Sequence, residues 1–215
     1  MQQYDKRGKP GKRVRVARLA RVRGVALVLA LCMLVAVLLI GVSAAQLALQ
    51  GEKAARAERD QGLAFHAAEQ ALVDAEKDIE ASPGQPARSA MFAAGNALGF
   101  QDGCGIGLGS ASLGLCLPAA SGHSPVWQAL DFYNDDAATA RSVPYGAFTG
   151  ALMQTGQGVM PAKLPRYIIE RIPFIVQGRA AGPQLAYFYR ITAIGFGTRA
   201  SSAVVLQSYY RKVQP

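Results

Sequence analysis

Two cysteines, two histidines, a pair of adjacent aspartates and a run of glycines are the residues here whose chemistry could carry a function. Cys104 and Cys116 stand in a glycine-rich stretch, Phe100 to Gly122. Two thiols fall short of a structural zinc site unless His123 and another group join them. In an oxidising compartment they would instead pair, closing a loop of about 13 residues worth ~3 kcal/mol on chain-entropy grounds. The same stretch contains Gly103-Cys104-Gly105-Ile106-Gly107-Leu108-Gly109, which superficially resembles a phosphate-binding glycine loop. That fingerprint needs a strand before it and a helix after it. Neither is evident, so the reading is a disulfide loop and not a nucleotide site. His66 and His123 are the only histidines. His66 falls on a helical pattern beside its apolar stripe, and His123 sits in Ser-Gly-His-Ser, a surface-loop composition. Serines are plentiful, but no GxSxG nucleophile elbow occurs. Asp135 and Asp136 follow Asn134 and could bind a cation, yet Asn-Asp-Asp ahead of an Ala-rich stretch is also a plain helix start. Trp127, Phe132 and Tyr133 read as core aromatics, or as a partner surface if exposed. No catalytic residues, metal site or cofactor emerge, so an enzyme is not expected.

The elements that would position these residues are set by charge and hydropathy. The formal charge of +9 suggests a nucleic-acid partner until its distribution is read. Nine Lys and Arg lie in the first 24 residues, from Lys6 to Arg23, against the single Asp5. From Val25 onward 14 basic and 13 acidic residues nearly cancel. A basic tail can bind phosphates. A basic tail directly beside an apolar run more often holds its end in the cytoplasm, and no nucleic-acid contact is inferred. The apolar run, Val25 to Val42, contains no charge, and none follows until Glu52. A bilayer core requires about 20 apolar residues in helical form. Cys32 lies inside this run and reads as a small hydrophobe.

The run continues into a second helical pattern. Gln46 to Ala81 has no proline and is rich in Ala, Glu, Gln, Lys and Arg, which favour helix. Phe65, Ala68, Leu72, Ala75 and Ile79 recur at spacings of 3 and 4, one stripe on a helix. Glu58, Asp60, Asp74, Glu76, Lys77 and Asp78 fall off it. One helix from about Val25 to Ala81, ~85 Å at 1.5 Å per residue, is the simplest reading. Three kinds of N-terminus compete. A secretory signal would be cut near Ser43-Ala44-Ala45, but the helical pattern runs through that point unbroken. An uncleaved signal anchor is the second. The third is a leader cut before the apolar run and not after it.

The leader ends Arg21-Val22-Arg23-Gly24, immediately ahead of Val25. A basic leader, a glycine, then an apolar helix turning amphipathic is the layout of type IV prepilins. The segment RGVALVLALCMLVAVLLIGVSAAQLALQ with EKAARAERDQGLAFHAAEQALVDAE resembles the N-terminal region of the PilX family of type IV pilus assembly proteins. There an Arg-Gly precedes a Leu/Val/Ala run and a LAFQAAEAAL.DAE-like signature follows; here the signature is Leu63 to Glu76. PRYIIERI from Pro165, YRITAIGFG from Tyr189 and VVLQSYYRK from Val204 resemble the family's closing strands. The stretch from about 85 to 160 carries no such likeness. The resemblance implies that a prepilin peptidase cuts between Gly24 and Val25 and N-methylates Val25. It implies a single-pass inner-membrane subunit with the N-terminus cytoplasmic and the C-terminal domain periplasmic, which then enters a surface pilus. Implied partners are other major and minor pilins, the peptidase, the inner-membrane assembly platform and membrane lipid. Major pilins carry a glutamate at the fifth mature position, and here that position is Leu29. A buried carboxylate is kept in a membrane only when it pairs. Leu29 resembles the tip subunit of type II secretion pseudopili and points to a tip-located priming complex.

The C-terminal third reads as β structure. Tyr167 to Gln177, Gln184 to Ile194 and Ser202 to Arg211 are rich in Tyr, Ile, Val and Phe. Short breaks at Gly178 to Pro183 and Gly195 to Ala200 predict a three-stranded antiparallel meander. Its apolar face needs a cover, and the stripe on residues 65 to 79 supplies one. The expectation is an α+β, type IV pilin-like fold. Its parts are a leader (1–24), an apolar helix half (25–51), an amphipathic half (52–81), a variable region holding Cys104 and Cys116 (82–165) and the meander (166–215). The function expected is a minor pilin in pilus biogenesis, supporting motility or adhesion. A minor pseudopilin of type II secretion and a signal-anchored periplasmic binding protein or adhesin remain as alternatives.

Overall fold

A computed structural model describes residues 23–80, 86–92, 98–176 and 184–212. The leader up to Val22, residues 81–85 after the second helix half and the predicted turn Gly178 to Pro183 lie outside the described residues. Helix α1 (Arg23–Glu80) contains 58 residues and no proline. The chain divides into two units whose boundary in sequence falls between Glu52 and Lys53.

In the first unit, every described side chain from Gly24 to Glu52 is exposed. Its 18-residue apolar window has a mean hydropathy of 3.2 and is entirely unburied, so the helix is long and apolar enough to cross a membrane. Ser43 donates its hydroxyl to the Leu39 carbonyl, 2.8 Å away. That bond satisfies a polar group which hydrocarbon would leave unpaired. Cys32 is an exposed free thiol.

The second unit adds a short helix α2 (Pro86–Met91), strand β1 (Leu115–Cys116), a single-turn helix α3 (Val126–Ala129) and strands β2 (Val143–Pro144), β3 (Arg166–Val176), β4 (Gln184–Phe196) and β5 (Ala203–Tyr210). Strands β3, β4 and β5 form the antiparallel meander, with Ile169 opposite Ile191 and Ile191 opposite Ser208. On the other edge of β3, β1 pairs in parallel and β2 antiparallel. The fold is α+β and pilin-like, a long N-terminal helix with a mostly antiparallel C-terminal sheet.

The sheet is covered on both faces. Tyr167, Ile169, Tyr189, Ile191 and Ala193 share a buried cluster with Ala71, Ala75 and Ile79 of α1. Ile168, Ile194 and Phe196, pointing oppositely because strand side chains alternate, pack with Val126, Phe132 and the two paired cysteines. This second cover explains why β3 reads as a near-continuous apolar run and not a clean alternation. The sequence also placed a break at Gly195, whereas β4 runs on to Phe196. The turn begins at Gly197, whose amide donates to Ser202 O at 2.7 Å. Gly195 is a packing residue, as described next.

Candidate functional site

The part of α1 from Lys53 to Glu80 buries its smallest residues. Ala64, Ala68, Ala71, Ala75 and Ile79 are fully buried, and Ala67 nearly so. A Cβ on Gly195 would stand 2.1 Å from the Ala64 carbonyl oxygen and 2.3 Å from the Ala68 amide nitrogen. The β4 backbone therefore lies directly against the helix backbone, and only glycine opposite alanine allows it. This corrects the predicted stripe. Ala68, Ala75 and Ile79 face the sheet and Leu72 is half-buried, but Phe65 is 40% exposed, its ring edge-on to His66. Hydrophobic size pointed to Phe65; close approach selected the small face one residue away.

Three aspartates expected off the stripe lie on this buried face: Asp60, Asp74 and Asp78. Each ties a distant part of the second unit to the helix. Asp78 receives Arg88 Nε at 2.9 Å and Nη2 at 2.8 Å, and the Tyr167 hydroxyl at 2.8 Å. Both members of this ion pair are fully buried. Arg88 Nη1 donates to the carbonyls of Ala111 (2.7 Å) and Leu113 (2.9 Å), and its guanidinium lies 3.4 Å over the Phe148 ring. Burial and the Asp78 carboxylate push the Tyr167 phenol well above its ordinary value, which keeps it a donor. Asp74 accepts the Gly146 amide at 2.8 Å and the Thr149 hydroxyl. Burial pushes its pKa up, against the pull of those two bonds. Asp60 accepts the Thr198 amide and hydroxyl, and bonds from Ser202 and Thr198 hold its pKa down at about 2. At the end of α1, Lys212 Nζ donates to Ile79 O at 2.7 Å and Tyr210 to Glu80 at 2.6 Å. A cation at a helix C-terminus satisfies carbonyls that lack intrahelical partners.

Cys104 and Cys116 form a disulfide with Cα atoms 4.1 Å apart. Both are buried in the second core cluster, so the bridge pins the glycine-rich loop beneath the outer face of the sheet. His123 lines a surface groove beside this loop with Asp102, Asp131 and Arg141. His66 is exposed, with Nδ1 2.9 Å from Glu69. Asp135 bonds Arg166 Nη1 at 2.7 Å and pairs with Lys163, a structural role. Asp136 caps the amides of Ala138 and Thr139, yet no helix follows. Only one turn closes, Ala140 N to Asp136 O, before the chain enters β2. Phe132 is buried as expected of a core aromatic, whereas Tyr133 is 45% exposed and rests edge-on against Phe196. Among the described residues no three His, Cys, Asp or Glu side chains converge to hold a metal.

At the other end of the chain, Gly24 and Val25 occupy the first turn of α1, both exposed, with Leu29 one turn on. The apolar helix is compatible with a membrane anchor. Sequence reasoning missed Arg88, the three aspartates and Gly195. The signal available was the Asp and Ala repeat itself, at 60, 64, 67, 68, 71, 74, 75 and 78, one face of a helix built from short side chains.

An apolar N-terminal helix, small-residue packing of Lys53–Glu80 on an antiparallel sheet and a disulfide-bonded loop define a pilin-like protein. A model of the PilX N-terminal region matches residues 23–73, and a model described as the type IV pilus assembly protein PilX C-terminal region matches 112–212. The chain belongs to the PilX family of type IV pilus assembly proteins. Comparisons with curated proteins and with solved structures return no match.

Proposed function

We propose that this protein is a minor pilin that acts in a tip-located priming complex of a type IV pilus and supports pilus-dependent motility or adhesion. The observation that carries the reading is the junction at residue 24, where a basic leader gives way at Arg23-Gly24 to a charge-free helix beginning at Val25. A prepilin peptidase cuts between Gly24 and Val25 and methylates the new amino terminus. Exposure of both residues in the first turn of α1 supports access to that bond. The nine leader cations keep the N-terminus cytoplasmic, which sends the C-terminal domain to the periplasm, where a Cys104–Cys116 bridge persists. The subunit then leaves the inner membrane through the assembly platform and joins other pilins by its helix.

Leu29 supports the tip position. With an aliphatic residue in place of a carboxylate, the helix carries no anion to neutralise the terminal amine of a neighbouring subunit. The mature protein does no chemistry in this reading, and its domain serves as an assembly surface. Mass spectrometry of the N-terminus tests it. A methylated Val25 is expected, with loss of surface pili on deletion. An N-terminus at Ala45 or Gln46, or retention of Met1, would refute it. Normal pili accompanied by failed protein secretion on deletion would favour a type II secretion pseudopilin.

A further inference from the structure

The two edges of the sheet are finished differently. Along β3, strands β1 and β2 pair between Arg166 and Glu170, and Pro173 further on has no amide to offer. Covered or interrupted edges resist pairing with other chains. At the opposite edge, the eight residues of β5 include neither a charge nor a proline, and among the described residues no strand pairs with its outer side. The phase of the ladder shows what that side presents. Gly197 donates its amide to Ser202 O, so antiparallel alternation puts the bonds between β4 and β5 at the even-numbered residues of β5. The amides and carbonyls of Ala203, Val205, Gln207 and Tyr209 therefore point outward, into the place of a further strand.

The side chains of those four residues share the sheet face that carries Ile194 and Phe196. Beside Ala203 and Val205 lies an open groove of about 430 Å³, walled by Trp127, Leu130 and Phe132 and bearing the Asp131 carboxylate. At the other end of β5, Tyr209 is 65% exposed, and Arg211 follows on the same face, 5.5 Å over the Phe174 ring. One end of the strand thus offers an apolar groove with an acid, and the other an aromatic ring with a cation. We propose that two copies of this chain join their β5 strands, antiparallel about a two-fold axis at Gln207, into one continuous sheet. Odd residues then face odd residues, as the outward hydrogen-bonding groups require. Tyr209 of each copy stands opposite Val205 of the other, at the mouth of its groove, an aromatic against a β-branched residue. Arg211 stands opposite Ala203, beside Asp131, and the symmetry makes each contact twice. Backbone bonds give the attachment, and the groove and the charge pair fix its register.

The test uses the full chain purified in detergent, with Cys32→Ser to remove the free thiol. Gln207→Cys should oxidise to a disulfide-linked dimer, because facing residues of a hydrogen-bonded pair stand ~5.5 Å apart at Cα, within disulfide reach. Leu152→Cys, 96% exposed in the loop between β2 and β3, should not. Sedimentation then measures the dimer without any crosslink. Val205→Lys combined with Tyr209→Lys sets lysine against lysine and should weaken it by at least about ten-fold. Asp131→Arg should also weaken it, and adding Arg211→Asp should restore it, since the reversed pair differs from the original only in sign. Circular dichroism melting checks that the variants fold. A wild type that stays monomeric at about 100 μM would overturn the proposal and leave the edge to a strand of a different protein. Equal crosslinking at Leu152→Cys, dimerisation unchanged by the two lysines, or no rescue by the reversed pair would overturn it as well.

Discussion

Replacing Arg88 with alanine isolates the strongest tether between helix and domain. Arg88 is fully buried, bidentate to Asp78 and bonded to two loop carbonyls, at Ala111 and Leu113. Its removal leaves the buried Asp78 carboxylate without its cation and those carbonyls without this donor. Breaking a buried ion pair by deleting one partner costs ~3–5 kcal/mol. A domain of ordinary stability holds ~5–15 kcal/mol in total, so the loss is a large part of it. With a urea m-value of about 2 kcal/mol/M, the midpoint should fall by about 2 M. Trp127, the only tryptophan, is partly buried in the second core cluster and reports the transition by fluorescence in the detergent-solubilised chain. The partner changes sharpen the test. Asp78→Leu combined with Arg88→Met removes both charges and should cost less than the two single changes added together, because the expense lies in the lone charge. A midpoint shift below about 0.5 M for Arg88→Ala, or strict additivity in the double variant, would refute the claim that this pair is coupled and dry.

Gly195→Ala should cost about 1–3 kcal/mol or more by overpacking, since the added carbon meets helix backbone, which cannot rotate away as a side chain can. Urea unfolding would show it, and a neutral result would mean that the helix and sheet do not touch there. The acid limb of stability should depend on Asp60. Its pKa is depressed from 3.8 to about 2, so its contribution is fully present above about pH 4 and is lost as pH falls through 2. Thermal melts of Asp60→Asn should be flatter than wild type between pH 4 and 2, and an unchanged acid slope would count against the Asp60 bonds to Thr198.

Much of this protein was legible in its sequence because the signals were local. The length of α1 follows from an absence of proline and a composition that favours helix, the apolar half from hydropathy alone, and the meander from three β-rich runs between turn residues. Cys104 and Cys116 lie close enough in sequence for one bridge to be the simplest outcome. The family likeness in the sequence was carried by the N-terminal helix and the closing strands from Pro165 on; the family matches cover residues 23–73 and 112–212, so the C-terminal one reaches back into a stretch where no likeness was read.

What the tertiary structure alone decided is which face of the second helix segment turns inward. Sequence periodicity weighs each residue by its own hydrophobicity, and Phe65 outweighs any alanine. Packing weighs the space left between two backbones, and Gly195 sets that space so small that only Ala64 and Ala68 fit. The same closeness brings Asp60, Asp74 and Asp78 into the interface, where partners from distant parts of the chain, among them Arg88, Gly146 and Thr198, satisfy them. No local pattern announces such partners, because a carboxylate can be buried only when a remote donor arrives with it.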